Sequence, residues 1–537
     1  MPSISLHGML SQAAVTHGPR PCVRYQGTTL TYGRVDELAS RFASGLQGLG
    51  LKRGDRVAIF APNIPQFVIS YFGILRAGGV VVPCSPLYKE RELEAQLRDS
   101  GATMVVAAND VVRGNDLYES LEGCRGRLPL THVIAASVTD FLPPIKRTIA
   151  GLARVKNVSR RDTTTFLELI RKNEPIRTPA EVDPSTEIAV LQYTGGTTGK
   201  SKGAMLTHRN LMAAAIIAAK TLPMEATDIH LAVLPLFHIF GMTGAMNAPF
   251  CEGGSIVLLP RFDIAEVMSA IEREKVTVFC GVPTMYVAVN HHPDVARFDL
   301  KTVRLAFSGG APLPVAVRKR FNELTGGNLV EGYGLTESSA VGTTNPFRDG
   351  EPRDGSIGLP FPSTDAKVVS LDDPSVVLGA GGVGELAIKG PQVMKGYWGE
   401  DEETGQVLQD GWLMTGDIAR MDGDGFFYIV DRKKDMVSVG GLKVYPREVE
   451  EVLFEHPAVK EAAVIGIPHE YMGETVKAFV VLRDPAKVPP KEEILAYCKT
   501  RLANYKVPRE LEFVQDLPKS LVGKVLRRKL REGSSVR

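Results

Sequence analysis

The sequence lacks an excess of basic residues and paired cysteines, two features that mark specialised classes of protein. Its 537 residues include 63 lysines and arginines against 61 aspartates and glutamates, which gives a formal net charge of +2. Nucleic-acid-binding proteins usually carry a strongly basic surface, so this balance argues against that class. The six cysteines are scattered and include no C-x-x-C pair. A zinc site or a disulfide framework is therefore not expected, and a reducing compartment is the simplest interpretation.

Targeting signals and long apolar runs are also missing from the sequence. The first residues, MPSISLHGMLSQAAVTHG, contain no basic start followed by a long apolar stretch, so we expect no signal peptide. The most apolar stretch, residues 67–83, is interrupted by Arg76 and by glycines, so no membrane-spanning helix is expected. These absences predict a cytoplasmic protein.

The patterns that are present predict an α/β protein of more than one domain, because 537 residues are too many for one hydrophobic core. Apolar, β-rich runs alternate with amphipathic stretches, which predicts a large N-terminal domain of layered α/β subdomains with largely parallel sheets. Beyond residue 355 the strands look shorter and richer in turns, as in a small barrel-like part. A compact α+β C-terminal domain follows. The charge run at 430–436 marks the predicted boundary between domains 1–432 and 433–537.

The densest glycine and hydroxyl motif of the chain is QYTGGTTGKSKGAML, residues 192–206. Its backbone N–H groups and hydroxyls suit polyphosphate oxygens, and Lys202 adds a cation. The kinase and ATPase loop, G-x-x-x-x-G-K-[ST], would require glycine at Thr194 and a helix directly afterwards. Here a short apolar run follows, and Thr207 suits the N-cap of a helix that begins near His208. A phosphate loop of another type and a flexible turn are the two interpretations.

A second candidate motif is EGYGLTES, residues 331–338. Its glycines permit close backbone approach on both sides of Tyr333, and Glu337 is a candidate Mg²⁺ ligand beside Thr194. The ordinary alternative is a loop tyrosine with a solvated glutamate, which a motif of this kind standing alone would favour.

Two further motifs lie nearer the C-terminus. In GWLMTGDIA, residues 411–419, Asp417 follows a turn and suits a pair of ribose hydroxyls, although an aspartate at such a place more often caps the turn. In LPKSLVGKVLRRKLRE, residues 517–532, Lys524 follows a glycine, and the alternative is a basic surface tail.

Residues 141–161, FLPPIKRTIAGLARVKNVSRR, carry six basic residues, no acidic residue and apolar residues at helical spacing. Such a segment can lie on a membrane surface, which would place the protein peripherally at the inner face of the membrane. The alternative, which we favour slightly, is a surface helix whose apolar side packs on the body of the protein.

Taken together and in this order, the four motifs resemble those of the adenylate-forming superfamily of acyl-CoA synthetases, firefly luciferase and peptide-synthetase adenylation domains. YTGGTTGKSKG is similar to its signature Y-T-S-G-T-T-G-x-P-K-G, and YGLTE, TGD, DRKKD and GK follow in the expected order. PLFHIFG (235–241) and FSGGAPLP (307–314) match the aromatic–histidine segment and the adenine-side turn. The chain looks most like the bacterial and archaeal long-chain fatty acid–CoA ligases.

The resemblance implies that a carboxylic acid is activated by ATP as an acyl-adenylate and then transferred to coenzyme A. Mg²⁺ would accompany ATP. The implied catalytic residues are Lys524, His238, Glu337 and Thr194, of which Thr194 and Glu337 would attend the metal. The ATP- and AMP-binding residues that the resemblance implies are Thr194, Gly195, Gly196, Thr197, Thr198, Gly199, Lys202, Gly309, Gly310, Ala311, Gly332, Tyr333, Gly334, Thr336, Asp417, Arg432 and Lys524.

The resemblance also implies that the C-terminal domain is mobile and pivots at Lys434 between the two half-reactions. Rotation would remove Lys524 and bring Gly440 and Gly441 to a coenzyme A tunnel. His238 would gate that tunnel, whereas a packed core histidine is its ordinary alternative. The implied acyl pocket consists of Phe240, Gly241, Met242, Val282 and Gly309.

Several alternatives to a long-chain fatty acid–CoA ligase are open at the level of sequence. The acid could be medium-chain, hydroxylated or aryl. A non-catalytic acyl or nucleotide sensor would require that Lys524, Glu337 or Asp417 be lost, and all three are present. A membrane-interaction module would rest on residues 141–161 alone. We expect small-molecule partners (fatty acid, ATP and coenzyme A), no nucleic acid, and a homodimer as in the resembled family.

Overall fold

The computed structural model divides the chain into two compact units, each described here by itself. The large unit comprises Met1–Pro352, Pro360–Asp365 and Lys389–Leu413, and the small unit comprises Arg353–Leu359, Ala366–Ile388 and Met414–Arg537. The small unit therefore contains residues 433–537 together with strands that precede them. The predicted boundary after residue 432 stays a prediction. The structure describes residues 4–109, 111–112, 115–146, 162–176, 178–194, 201–347, 350–519 and 525–534.

Several helices begin at residues whose side chains cap them. Thr207, for example, accepts a hydrogen bond from the backbone N–H of Asn210, which confirms it as the N-cap of the helix starting at His208. The helices are α1 Leu6–His17, α2 Tyr32–Gly48, α3 Pro65–Arg76, α4 Glu90–Ser100, α5 Leu117–Arg125, α6 Phe166–Lys172, α7 His208–Thr221, α8 Ile239–Met242, α9 Ala248–Glu252, α10 Ile264–Glu274, α11 Pro283–Asn290, α12 Val315–Thr325, α13 Asp401–Val407, α14 Pro446–Glu455, α15 Lys491–Lys499 and α16 Arg527–Ser534. A π-helical turn, Thr243–Asn247, joins α8 to α9, and 3₁₀ turns lie at Val295–Arg297 and Thr336–Ser338.

The strands follow the apolar, β-branched runs of the sequence. In chain order they are β1 Pro21–Tyr25, β2 Thr28–Thr31, β3 Arg56–Phe60, β4 Val80–Cys84, β5 Met104–Ala108, β6 Val111–Val112, β7 Asn115–Asp116, β8 His132–Ala136, β9 Thr163–Thr165, β10 Ile188–Thr194, β11 Lys202–Thr207, β12 Ile229–Ala232, β13 Ser255–Leu258, β14 Val278–Gly281, β15 Leu305–Ser308, β16 Asn328–Tyr333, β17 Thr343–Thr344, β18 Leu359–Pro360, β19 Asp365–Val369, β20 Val383–Lys389, β21 Gly396–Tyr397, β22 Leu408–Gln409, β23 Trp412–Met421, β24 Phe427–Arg432, β25 Val437–Val439, β26 Leu442–Val444, β27 Val459–His469, β28 Gly473–Leu482 and β29 Glu510–Phe513.

Two broad sheets organise the large unit. One has nine strands in the order β18-β17-β16-β15-β14-β12-β13-β1-β2, and its run from β16 to β1 is parallel. The other has eight strands in the order β21-β11-β10-β4-β3-β5-β8-β9, parallel from β10 to β9. Every residue of α3 is buried, as its nearly continuous apolar sequence predicts. The layered α/β fold expected from the sequence is confirmed.

The small unit is built from shorter, mainly antiparallel strands. Strands β19, β20 and β23 run side by side, with β24 on β23. Its second sheet has the order β26-β25-β28-β27, with β29 on β28. One face of this sheet packs on α14 and α15 through Val449, Leu453 and Ile494, and the other face packs on Leu530 of α16. This is the α+β arrangement predicted from residue 433 onward.

The basic segment 141–161 is described only in part, because residues 147–161 lie outside the described ranges. Its first residues show both packed and exposed side chains. The Phe141 ring lies 6.3 Å from the Phe166 ring, whereas the Ile145 side chain is 78% exposed. Among the described residues no helix is both long enough and apolar enough to cross a bilayer.

Candidate active site

Three predicted site residues lie side by side at the carboxyl edge of the nine-stranded sheet. In the parallel ladder Gly281 pairs with Ser308 and Ser308 pairs with Glu331. The next residues along each strand are Val282, Gly309 and Gly332. This edge of a parallel α/β sheet is the usual place for a ligand site.

The acyl-pocket candidates meet the adenine-side candidates at this edge. A methyl group at Gly309 would lie 3.4 Å from the Phe240 ring, and one at Gly310 would lie 3.7 Å from Val282. The Phe240 ring also packs edge-on against Phe307, at 5.8 Å between ring centroids. A methyl group at Gly332 would overlap the Phe307 ring. Gly332 therefore lets the Phe307 ring pack directly on the backbone, whereas at Gly309 a side chain would extend towards the Phe240 ring.

The remaining pocket candidates belong to the helical stretch that begins after His238. Gly241 packs so closely on the carbonyl group of Pro235 that a methyl group there would overlap it, and Met242 is fully buried. The π-helical turn places Gly244 beside the pocket, because a methyl group there would lie 3.5 Å from the Phe240 ring and 3.7 Å from the Cys280 Sγ. π-helical turns occur frequently at functional sites.

His238 is the N-cap residue of α8. Its Nδ1 accepts a hydrogen bond from the Phe240 backbone N–H at 3.2 Å, and the ring is half-buried. The neighbouring carbonyl of Phe237 accepts a hydrogen bond from Gln192 Nε2 at 3.0 Å, which ties this segment to β10. His238 is thus neither fully packed nor free, and the predicted gate role stays a prediction.

The phosphate-loop candidates begin and end on a β-hairpin. Thr194, the last residue of β10, pairs with Lys202, the first residue of β11. Gly195, Gly196, Thr197, Thr198 and Gly199 lie outside the described residues. The hairpin explains why no helix follows the loop directly, as the sequence had indicated.

Lys202 and Glu337 are brought together by Tyr397, which the sequence had not indicated. The Tyr397 hydroxyl donates to Glu337 Oε1 at 2.7 Å, and the Lys202 ammonium lies 5.4 Å from the centre of the Tyr397 ring. Strand β21 places Tyr397 there, because it pairs with Ala204 of β11. Burial and the Glu337 carboxylate raise the pKa of Tyr397 well above its usual value, so the hydroxyl stays a donor. The Lys202 Nζ also lies 3.5 Å from Glu403 Oε1.

The turn that carries Glu337 is tightly wound. Ser339 and Ala340 adopt left-handed backbone conformations, with φ of 52° and 70°. A methyl group at Gly334 would overlap the carbonyl of Ala340, so glycine is required there. The Glu337 carbonyl accepts from the Met394 N–H at 2.8 Å. Backbone strain of this kind concentrates at functional sites, and here it fixes the residue predicted to bind the metal.

The side chains present fit Mg²⁺ that arrives with a nucleotide. Within the described ranges no group of three or more His, Cys, Asp and Glu side chains converges as a cluster that could hold a metal. A carboxylate at Glu337 and a hydroxyl at Thr194 are hard oxygen donors. Mg²⁺ commonly takes one or two such protein ligands and completes its shell with phosphate oxygens and water.

In the small unit, the ribose candidate Asp417 is buried and paired. It lies opposite Arg432 in the β23–β24 ladder, and Arg432 Nε is 3.3 Å from Asp417 Oδ1. Thr415 accepts a hydrogen bond from the Asp417 backbone N–H at 3.2 Å, which shapes the turn before it. Two residues predicted separately as nucleotide ligands are therefore direct neighbours.

The predicted hinge residue Lys434 is exposed and is spanned by contacts between its two sides. On the N-terminal side, Asp431 Oδ2 accepts from the Arg447 backbone N–H at 2.7 Å. The Arg447 guanidinium in turn donates to the Ile429 carbonyl at 3.1 Å. Arg527 lies 4.0 Å from Asp431. A pivot at Lys434 would have to break these contacts, and the hinge role stays a prediction.

The coenzyme A candidates Gly440 and Gly441 form the two-residue turn between β25 and β26. Their φ values are +57° and +83°, the positive pair that a tight hairpin of this kind requires. Both residues are exposed. Lys524 lies outside the described residues, but its flanking residues Lys519 and Val525 pair as an antiparallel bridge.

Tyr397 and Glu403 are candidate site residues that sequence reasoning missed. Tyr397 lies in KGYWG, and Glu403 lies in the acidic run DEE, which reads as an ordinary exposed helix start. The one signal in the sequence was Gly396, the residue before Tyr397. Its backbone φ is 151°, but a lone glycine in a sequence does not indicate such a conformation. Their role emerges only when β21 is placed beside β11.

The chain matches two family models that together span most of its length. Residues 10–398 match the AMP-binding enzyme family, and residues 448–524 match the AMP-binding enzyme C-terminal domain.

Individual relatives agree with the family match. A long-chain-fatty-acid–CoA ligase of Bacillus subtilis (strain 168) is 43% identical over 99% of this chain and 95% of its own length. One from Yersinia pestis is also 43% identical, over 98% and 94%. A crystal structure of an anthranilate CoA ligase in complex with anthranoyl-AMP superposes with a TM-score of 0.87 at 30% identity, covering 100% of this chain and 98% of that one. The chain therefore belongs to the AMP-binding enzyme family, as its motifs had indicated.

Proposed function

We propose that this chain is an AMP-forming fatty acid–CoA ligase that acts on long-chain acids. It joins a fatty acid to coenzyme A through an acyl-adenylate and releases AMP and pyrophosphate. The observation that carries the proposal is the 43% identity, over 99% of the chain, with a relative named long-chain-fatty-acid–CoA ligase. The side chains nearest to Gly309 and Gly310 agree with it, because the Phe240 ring and Val282 offer apolar contacts to an alkyl chain.

In the first half-reaction a carboxylate oxygen of the acid attacks the α-phosphorus of ATP. The bond from that phosphorus to the bridging oxygen breaks, and pyrophosphate leaves with its electron pair. We assign Lys202 and residues 194–199 to the β- and γ-phosphates, and Asp417 and Arg432 to the ribose. Bound Mg²⁺, with Thr194 and Glu337 as protein ligands, would neutralise phosphate charge. The work of these residues is alignment and charge neutralisation, since the step needs no proton transfer.

In the second half-reaction the coenzyme A sulfur attacks the acyl carbon, the bond from carbon to the phosphate oxygen breaks, and AMP leaves. The thiol proton is released to solvent. By resemblance we assign Lys524 to the adenylation step, Lys434 to the pivot between the two steps, and Gly440 and Gly441 to the thiol tunnel. His238 lies next to the pocket residue Phe240, which suits a gate.

A panel of acids tests the substrate assignment. Pyrophosphate exchange is measured with saturated acids of 6 to 18 carbons, 3-hydroxy acids and benzoates, and then thioester formation is measured with coenzyme A. Each CH₂ buried in an apolar tunnel contributes ~0.8 kcal/mol, so the specificity constant should rise with chain length until the tunnel is filled. A maximum with benzoates, or no dependence on length, would contradict a long-chain ligase. No turnover of any acid would favour a sensor.

Two reciprocal variants test the division of labour between the half-reactions. Lys524→Ala should lower the adenylation rate by two or three decades, the loss typical of a preorganised charge donor, yet spare thioester formation from supplied acyl-adenylate. Lys434→Pro should slow the thioester step much more than adenylation. Equal losses in both half-reactions for either variant would refute the assignment of that residue.

Two finer expectations from the sequence also stay proposals. For residues 141–161 we propose peripheral contact with an anionic membrane surface as the alternative to the packed surface helix that the sequence slightly favours, and for the chain we propose a homodimer. Flotation with vesicles containing anionic lipid, repeated at high salt, tests the first, because an electrostatic contact should weaken as salt rises. Sedimentation equilibrium tests the second.

A further inference from the structure

The candidate phosphate ligand Lys202 already has an anionic partner on another part of the large unit. Its Nζ lies 3.5 Å from Glu403 Oε1, and the two side chains are 13% and 33% exposed. The ammonium also lies 5.4 Å from the centre of the Tyr397 ring. The lysine is therefore mostly shielded from water, and the carboxylate that balances it is nearer to solvent.

Glu403 is held close to Lys202 by backbone contacts on both sides of it. Trp398 donates its N–H to the Gly203 carbonyl at 2.8 Å, one residue from Lys202. The Tyr397 N–H donates to Thr404 Oγ1 at 2.9 Å, and Thr404 lies next to Glu403 on α13. The helix start that bears Glu403 is thus fastened to the strand that bears Lys202, so their approach follows from the fold.

We propose that Glu403 is a counter-ion for Lys202 that polyphosphate displaces and that returns when pyrophosphate leaves. An ion pair at 3.5 Å with a third of the carboxylate exposed is weak, which makes it easy to exchange. The β- and γ-phosphates of ATP carry more negative charge than one carboxylate and attract the ammonium more strongly. Glu403 thereby weakens the binding of ATP and of pyrophosphate alike, and it gives Lys202 a partner as the product departs.

The proposal rests on the proposed function in one respect, namely that Lys202 binds the β- and γ-phosphates. It adds a positioning residue whose effect should depend on the number of phosphates in the ligand. AMP lacks the phosphates that Lys202 would bind, so its affinity should not depend on Glu403.

The test compares Glu403→Gln with Glu402→Gln. Glu402 lies one residue earlier on α13 and is exposed, so the control makes the same change in net charge. Dissociation constants are measured by calorimetry for a non-hydrolysable ATP analogue and for AMP, and the inhibition constant is measured for pyrophosphate. Glu403→Gln should tighten the binding of the ATP analogue and of pyrophosphate about two- to fivefold, as expected for loss of a partly exposed ion pair. The dissociation constant of AMP should not change. Glu402→Gln should change none of the three.

Three outcomes would overturn the proposal. Glu403→Gln could bind the ATP analogue and pyrophosphate no more tightly than the unaltered protein, Glu402→Gln could tighten their binding equally, or Glu403→Gln could tighten the binding of AMP equally. A Lys202→Met variant separates this failure from failure of the proposed function. If Lys202→Met leaves the affinity for the ATP analogue unchanged, the phosphate role of Lys202 is wrong. If Lys202→Met weakens that affinity, the double variant Lys202→Met/Glu403→Gln should bind the ATP analogue no more tightly than Lys202→Met alone. Additive effects of the two substitutions on the affinity would also refute the exchange. Thermal unfolding checks that each variant is folded.

Discussion

One shielded cation from each unit shows a different way of balancing its charge. In the large unit, the Lys202 ammonium has one carboxylate partner among the described residues, Glu403 at 3.5 Å. In the small unit, Arg527 contacts both carboxylate oxygens of Glu450 at 2.8 Å and Asp435 Oδ2 at 3.1 Å. Among the described residues, the first arrangement is a single long ion pair, whereas in the second both terminal nitrogens of the guanidinium group are hydrogen-bonded to protein carboxylates. The charge that we propose to bind phosphate is thus held loosely, and the charge that supports the small unit is held by several partners.

The pKa shifts in the small unit follow from the same contrast. Burial raises the pKa of Glu450 against the opposing effect of Arg527. Asp435 is also buried, but Arg527 and Arg531 together outweigh burial and lower its pKa. Arg527 favours the charged form of both acids, and Arg531 adds to its effect on the pKa of Asp435. The cluster is therefore a single structural unit whose centre is one guanidinium group.

The largest effect should come from removing that centre. Arg527→Met leaves Glu450 and Asp435 buried without their main cation, and breaking a buried pair on one side typically costs about 3–5 kcal/mol. The free energy of unfolding, measured by denaturant titration of the whole chain, should fall by that amount. Arg528→Met is the matched control, since Arg528 is 63% exposed and pairs with Glu532 on the same helix. A loss below about 1 kcal/mol in Arg527→Met would remove the distinction between the units.

The next effect should appear in ligand binding without a change in stability. Lys202→Met removes a cation whose protein partner is weak, so the free energy of unfolding should change by less than about 1 kcal/mol. The KM for ATP should nevertheless rise roughly 10- to 100-fold, because a charge-assisted contact contributes about 1.5–3 kcal/mol. The control is Lys220→Met, which removes a 68%-exposed lysine that pairs with Glu252. A stability loss with an unchanged KM would show that Lys202 is structural.

The smallest effect should come from Tyr397→Phe, which keeps the ring beside Lys202 and removes only the hydroxyl that donates to Glu337. The half-buried Glu337 carboxylate then loses one donor, worth about 1 kcal/mol. The Mg²⁺ concentration for half-maximal adenylation should rise about two- to fivefold, with the KM for the fatty acid unchanged. Tyr193→Phe serves as the control, because that hydroxyl donates to Asp99. A change in the fatty acid KM alone would place Tyr397 in the acyl pocket.

The sequence predicted best the features whose structure depends on a single segment of the chain. The N-cap at Thr207, the buried helix at Pro65–Arg76 and the hairpin strands near residues 412–432 depend on local periodicity and capping. The superfamily followed from short motifs in a fixed order, and the family matches confirm it. The alternation of helix and strand likewise predicted the parallel sheets.

Contacts between distant segments could not be predicted in this way. The row formed by Val282, Gly309 and Gly332 depends on the register of three strands far apart in sequence. Tyr397 and Glu403 reach Lys202 only because a two-residue strand joins the edge of β11. Such short strands carry too few residues for a periodic signal. Lys524 and residues 195–199 lie outside the described residues, so their assigned roles stay predictions.

The pairing of Thr194 with Lys202 has an entropic consequence for nucleotide binding. Bringing together the ends of a seven-residue connection costs conformational entropy, and the β10–β11 ladder has already closed this one during folding. A polyphosphate bound as we propose would therefore meet a hydroxyl and an ammonium whose backbones are fixed at the spacing of neighbouring strands. None of the free energy of its contacts would be needed to bring these two residues together, so that part would be available for affinity.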